Sequence, residues 1–215
     1  MTPLAWVLLG LAAFAAAIDW AAVAGAKIAV ERVAKPAVLV LLLAAAIVLE
    51  PVDPAVRPWL LLALAASLVG DVLLLPPGRF TGGLVAFLVA QLAYLMAFLQ
   101  LPGNTVLAVV GVGLAFALVA FVGRSIVEGA RPSGLALPVA VYLAAICLMA
   151  ISGTRTGIPA VALGAWVFVA SDATLGWDRF AAPEPGSARV ASLRRLAVMV
   201  TYHAGQALLV IGLAA

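Results

Sequence analysis

The sequence predicts an all-α polytopic membrane protein, a bundle of about eight transmembrane helices that makes one integral membrane domain of residues 1–215. Composition is the first ground for this: 67% of the 215 residues are hydrophobic and 10% are charged, whereas a soluble domain carries about a quarter charged residues. Mean hydropathy, at +1.25, is the second. The third is that apolar runs long enough to cross roughly 30 Å of hydrocarbon recur along the whole chain. They are too many and too long for one secretory signal, and neither a cleavable leader nor a soluble domain is expected.

Breaks at Gly, Pro and charged residues set the elements in order. Spans are expected at about 3–25, 36–50, 57–75, 81–100, 104–122, 133–151, 157–177 and 190–213. The separators are KIAVERVAK, PVDPAVR, PPGRF, LPGN, GRSIVEGAR, SGTRTG and the longest, DRFAAPEPGSARVASLRR. The second span opens on Lys35-Pro36, because proline costs little in a first helical turn. Connections this short make consecutive helices antiparallel neighbours. Spans three and seven end alike, in SLVGDVLLL and VFVASDATLG, with a small residue before an aspartate and a leucine after it.

The net charge of +3 comes from bases scattered through short connections, not from a basic face with aromatics, so no nucleic-acid partner is expected. Lys27, Arg32, Lys35, Arg79, Arg124, Arg131, Arg179, Arg189, Arg194 and Arg195 follow odd-numbered spans, and only Arg57 and Arg155 follow even ones. The bias of basic residues toward the cytoplasm then sets the first group inside and both termini outside, in a cell membrane whose lipids surround the chain. Cys147 is the single cysteine and reads as an inert packing residue.

Charged groups inside spans are expensive, and each one is a functional candidate. Asp71 and Asp172 lie in the last turns of spans three and seven, and Asp19 lies about two turns from the end of span one, so all three fall in the cytoplasmic half. Lys35, Gln91, Tyr94, Tyr142, Tyr202 and Gln206 converge there from other spans. Gln91 and Tyr94 share a face, as do Tyr202 and Gln206. A polar cavity open toward the cytoplasmic leaflet would satisfy them all. The competing readings are ordinary ones: aspartates that snorkel to water, an Asp19-Trp20 interfacial anchor, and a hydrogen-bonded packing role for His203. Glu50, Asp53, Asp178 and Glu184 are expected in solvated loops. Gly70, Gly82, Gly83 and Gly164 suit close helix packing.

There is no HExxH, Walker lysine loop, GxSxG elbow or metal-spaced cluster of His, Cys and carboxylate. No metal and no cofactor is therefore expected. Ser67 and Ser171 read as partners for a carboxylate, which leaves two carboxyl groups as the chemical tools.

Lys35-Pro36, SLVGDVLLL at 67–75, FTGGLVAFLVAQLAY at 80–94, ASDATLGWDRF at 170–180 and TYHAGQ at 201–206 together resemble the YhhN family of membrane proteins, which includes animal lysoplasmalogenases. The family's fourth-span motif has a histidine where this chain has Gln91, which can still orient a partner by hydrogen bonding. The resemblance implies hydrolysis of the vinyl ether of a lysoplasmalogen, a lysophospholipid, to a fatty aldehyde and a glycerophospho-alcohol. It carries the catalytic role to Asp71 and Asp172 and sets Lys35, Tyr94, Tyr202 and Gln206 around the same pocket; Gln91, Tyr142 and Asp19, polar residues in the neighbouring spans, are expected as further substrate contacts. One carboxyl would protonate the vinyl carbon and the other would stabilise the oxocarbenium ion and activate water, as paired carboxyls do in glycoside hydrolysis. Asp71, flanked by Val and Leu, is the expected acid; Asp172, near Ser171 and Thr174, is the expected base. A small transporter or lipid-binding protein with proton-carrying aspartates is the alternative, and a hydrolase of another lipid ether, ester or amide is a third reading.

Overall fold

The computed structural model describes residues 2–183 and 187–214. Its helices are α1 (Pro3–Ala24), α2 (Ile28–Val48), α3 (Val56–Leu74), α4 (Phe80–Leu99), α5 (Thr105–Leu118), α6 (Arg124–Gly129), α7 (Ala136–Arg155), α8 (Pro159–Phe180) and α9 (Ala188–Gly212). A π-helical turn, Val119–Gly123, joins α5 to α6 so that the two make one rod. Seven rods are long and apolar enough to cross a membrane. The eighth, α2, has the length, but Glu31, Arg32 and Lys35 interrupt its apolar character. The chain is thus a multi-pass membrane protein.

Helix ends follow local chemistry. Thr2 caps α1 by accepting from the Ala5 amide, with Pro3 in the first turn, and Asn104 and Ser187 cap α5 and α9 in the same way. Arg57 and Arg155 tie off carbonyls that helix ends leave open: Arg57 donates to Ile47 and Leu49, and Arg155 to Phe98 and Leu101.

Seven helices close a ring in which α1, α2, α3, α4, α7, α8 and α9 each pack on the next and α9 returns to α1. The α5–α6 rod leans on the outside, against α7 and α8. Its outward side is apolar and open, with Val106, Phe116 and Phe121 among the most exposed large hydrophobics, as a lipid-facing surface requires. Leu39, Leu42, Leu60, Leu64, Phe98, Phe168 and Leu209 fill the inside of the ring. Small residues set the closest approaches. A Cβ on Gly205 would lie 2.9 Å from the Phe168 nitrogen, and one on Gly164 would lie 3.0 Å from the Leu209 nitrogen, so α8 and α9 meet backbone to backbone. Gly70 makes room for the Phe87 ring and Gly83 for Leu74, whereas Gly82 makes only an ordinary contact with Leu73.

Several boundaries differ from the sequence expectation. The second helix starts at Ile28, so Lys35 and Pro36 lie in its interior and do not lead it. The stretch GRSIVEG expected as a connection is helical, because the π turn carries the fifth rod onward. The longest connection is short: α8 runs to Phe180 and α9 begins at Ala188, so Asp178, Arg194 and Arg195 are helical. Glu184 lies outside the described residues.

Candidate active site

Consecutive rods alternate in direction along the chain, which brings the last turns of α1, α3 and α8 to one end of the ring, together with the first turns of α2, α7 and α9. Asp71 is buried there, with 1% of its side chain exposed. Lys35 Nζ of α2 lies 3.1 Å from its Oδ1, and the Tyr202 hydroxyl of α9 donates to its Oδ2 at 2.8 Å. Asp71 is thus paired with Lys35 away from water. The Tyr94 hydroxyl donates to Gln206 Oε1 one turn beyond Tyr202.

Asp172 has different company. Its Oδ2 accepts from the Tyr142 hydroxyl of α7 and from Gln91 Nε2 of α4 at 3.4 Å, and the same Gln91 nitrogen donates to the Tyr142 oxygen at 3.3 Å. Both donors are neutral. Ser171 and Thr174, expected to assist Asp172, do not: Ser171 donates to the Val198 carbonyl and Thr174 to the Ala170 carbonyl one turn back. Ser67 lies one turn from Asp71 on α3, and its hydroxyl is buried without a partner.

An aromatic cluster packs around Tyr94 and Tyr202. Phe168 meets Tyr202 edge-on at 5.5 Å and Tyr94 at 6.3 Å, and Phe87 meets Tyr202 at 5.8 Å. These rings fix Tyr94 and Tyr202 in the directions their hydroxyls need.

Asp172 and Tyr142 line a cavity of about 70 Å³ whose other walls are apolar, among them Phe87, Leu118, Ile146 and Val169. Beside it opens a vestibule of about 370 Å³, lined by Glu31, Lys35, Asp178, Arg179 and Arg195. Leu74, Phe80 and Leu175 form walls of both. An apolar chamber with one carboxyl group thus adjoins a charged one.

The sequence-predicted residues therefore fall into two networks, Lys35–Asp71–Tyr202 with Tyr94–Gln206, and Gln91–Tyr142–Asp172. Asp19 joins neither. It is fully buried, with no hydrogen-bond partner on either oxygen, and is no interfacial anchor. Its neighbour Trp20 instead donates to His203 Nδ1 at 3.1 Å. Sequence reading missed Glu31, which holds Arg195 through both carboxylate oxygens at 2.8 and 2.7 Å. A charge pattern alone does not reveal a pair 164 residues apart. Among the described residues, no three His, Cys, Asp or Glu side chains gather as a metal site would require.

A model of the YhhN family matches residues 30–213. The human protein lysoplasmalogenase TMEM86B is 36% identical over 151 residues, which is 68% of this chain and 59% of the human one. The pig protein of the same name is 35% identical over 147 residues, covering 68% and 59%. For the rat protein the identity is 36% over 152 residues, covering 70% and 60%. The chain spans about three-fifths of the length of these curated relatives. No solved structure matches it.

Proposed function

The chain belongs to the YhhN family, and on that footing we propose that it hydrolyses the vinyl ether bond of a lysoplasmalogen, releasing a fatty aldehyde and a glycerophospho-alcohol. The observation that carries this reading is the position of Asp172, a carboxyl group with neutral hydrogen-bond donors in the wall of an otherwise apolar cavity, beside a charged vestibule. In this reading the lipid chain enters by way of the apolar cavity and the head group lies in the vestibule. The relatives' name, lysoplasmalogenase, points to the same substrate class.

In this reading Asp172, in its protonated form, delivers its proton to the vinyl carbon remote from the ether oxygen, giving an oxocarbenium ion. The surroundings favour this over the opposite assignment expected from sequence, because Asp71 is held as a carboxylate by the Lys35 ammonium and the Tyr202 hydroxyl. Asp71 is then the anion that stabilises the cation and takes a proton from the attacking water. Water adds to the carbon bonded to oxygen, forming a hemiacetal. Its hydroxyl gives up a proton, the carbon–oxygen bond to glycerol breaks, and the departing alcohol oxygen is protonated. The sum is lipid plus water to aldehyde plus alcohol. Tyr142 and Gln91 aim Asp172, and Lys35 and Tyr202 aim Asp71. The basic end of the bundle, which holds the vestibule, faces the cytoplasm in this proposal.

The test is selectivity. Purified protein is offered a 1-alkenyl, a 1-alkyl and a 1-acyl lysophospholipid of equal chain length. Aldehyde from the alkenyl lipid with no cleavage of the other two is expected, since only a vinyl ether gives a stabilised cation on protonation. Preferential cleavage of the acyl lipid would make the protein an esterase, and no cleavage of any would remove the hydrolase reading.

A further inference from the structure

Five charged side chains line the vestibule, and four of them sit in ion pairs. Lys35 holds Asp71, Arg195 holds Glu31, and Asp178 takes Arg194 at 2.9 Å. Arg179 has no ion-pair partner among the described residues. It is nevertheless held in place: its guanidinium carbon stands 4.0 Å from the centroid of the Phe80 ring and 5.6 Å from that of Phe180. Phe80 is the residue that walls both chambers. A guanidinium stacked on a ring face keeps its edge N–H groups free, in the fork that fits phosphate oxygens.

Charge and spacing agree on what these donors face. With the three pairs neutral, the vestibule keeps one positive charge, which a phosphodiester monoanion would balance. Arg179 follows Asp172 by seven residues on α8, two turns along the same face and about 10 Å of axial rise. Leu175 and Gly176, on the turn between them, line the apolar cavity. A group bound at Arg179 therefore lies about 10 Å along the helix axis from Asp172, a distance that the reach of the two side chains can shorten.

We propose that Arg179, held over Phe80, binds the phosphate of a single-chain phospholipid and so selects phosphate-bearing lipids over neutral ether lipids. This rests on the hydrolase reading for its substrate but not for its binding test. The activity arm compares wild type, Arg179→Gln and Arg179→Lys on an alkenyl lysophospholipid and on the corresponding 1-alkenylglycerol, which lacks phosphate. Arg179→Gln should shrink the KM advantage of the phospholipid by about tenfold, the loss of one charge-assisted contact, and Arg179→Lys should shrink it less. An unchanged ratio between the two substrates would overturn the proposal.

The binding arm uses thermal stabilisation in detergent. A non-cleavable 1-alkyl lysophospholipid should stabilise wild type more than Arg179→Gln, whereas 1-alkylglycerol should stabilise both alike. Inorganic phosphate or glycerophosphoethanolamine giving the full Arg179-dependent effect would assign the site to a free phosphate compound and overturn the lipid assignment. If wild type cleaves no vinyl ether, the hydrolase reading fails, and the alkyl-lipid comparison still decides the role of Arg179.

Discussion

Lys35 and Asp71 face each other at 3.1 Å with 7% and 1% of their side chains exposed, so removing one charge strands the other. Lys35→Met keeps a long apolar stem and deletes the ammonium, leaving Tyr202 as the hydrogen-bond donor to Asp71. Coulomb attraction at that separation is ~5 kcal/mol for an effective dielectric near 20. Stranding one member of a buried pair costs about 3–5 kcal/mol, so the two figures agree. Salt screens such a pair little. The neutral double variant Lys35→Met/Asp71→Asn strands nothing and should recover most of the loss. Thermal unfolding in detergent, followed by tryptophan fluorescence, reads both. The single variant's midpoint should fall by on the order of 10 °C, and the double variant's by less than half as much. A single variant that melts with wild type, or a double variant as unstable as the two singles summed, would refute the reasoning.

Tyr142→Phe removes the hydroxyl that donates to Asp172 and leaves Gln91 as the remaining donor; kcat for vinyl ether cleavage should drop by roughly 10–100-fold with KM little changed, as expected for a group that positions the acid. Gly205→Ala drives a methyl to 2.9 Å from the Phe168 nitrogen and 3.1 Å from the Gly164 oxygen, so it should cost about 1–3 kcal/mol by forcing α8 and α9 apart, measured as a lower unfolding midpoint. Gly82→Ala, which meets only Leu73 at 3.5 Å, should leave the midpoint within a degree or two and serves as the control.

The helices were legible because each apolar run ends at Pro, Gly or charge, and the membrane leaves a chain few other ways to satisfy its backbone. Where the rule failed, charge misled it. Glu31, Arg32 and Lys35 look like a polar connection, but two of them turn inward, Glu31 to Arg195 of α9 and Lys35 to Asp71 of α3, so tertiary pairing makes a helix of what reads as a loop. The buried polar residues were legible as types, since a carboxylate in an apolar run needs a reason. Their partners were not. Sequence neighbours Ser171 and Thr174 were the natural helpers for Asp172, yet a helical hydroxyl finds a carbonyl first, and the actual donors come from α4 and α7. The leucines flanking Asp71 suggest the acid, whereas Lys35, brought in from another helix to 3.1 Å from its Oδ1, is what leads the proposal to give Asp71 the anionic role.

The most direct measurement is aldehyde release from a lysoplasmalogen by purified wild type, Asp172→Asn and Asp71→Asn, each checked for folding by its unfolding midpoint. The two-aspartate account predicts aldehyde from wild type and a loss of at least about a thousandfold in kcat in each folded variant, the range expected when a proton donor or a charge-stabilising group is removed. Full aldehyde release by either folded variant would take that aspartate out of the chemistry and contradict the account.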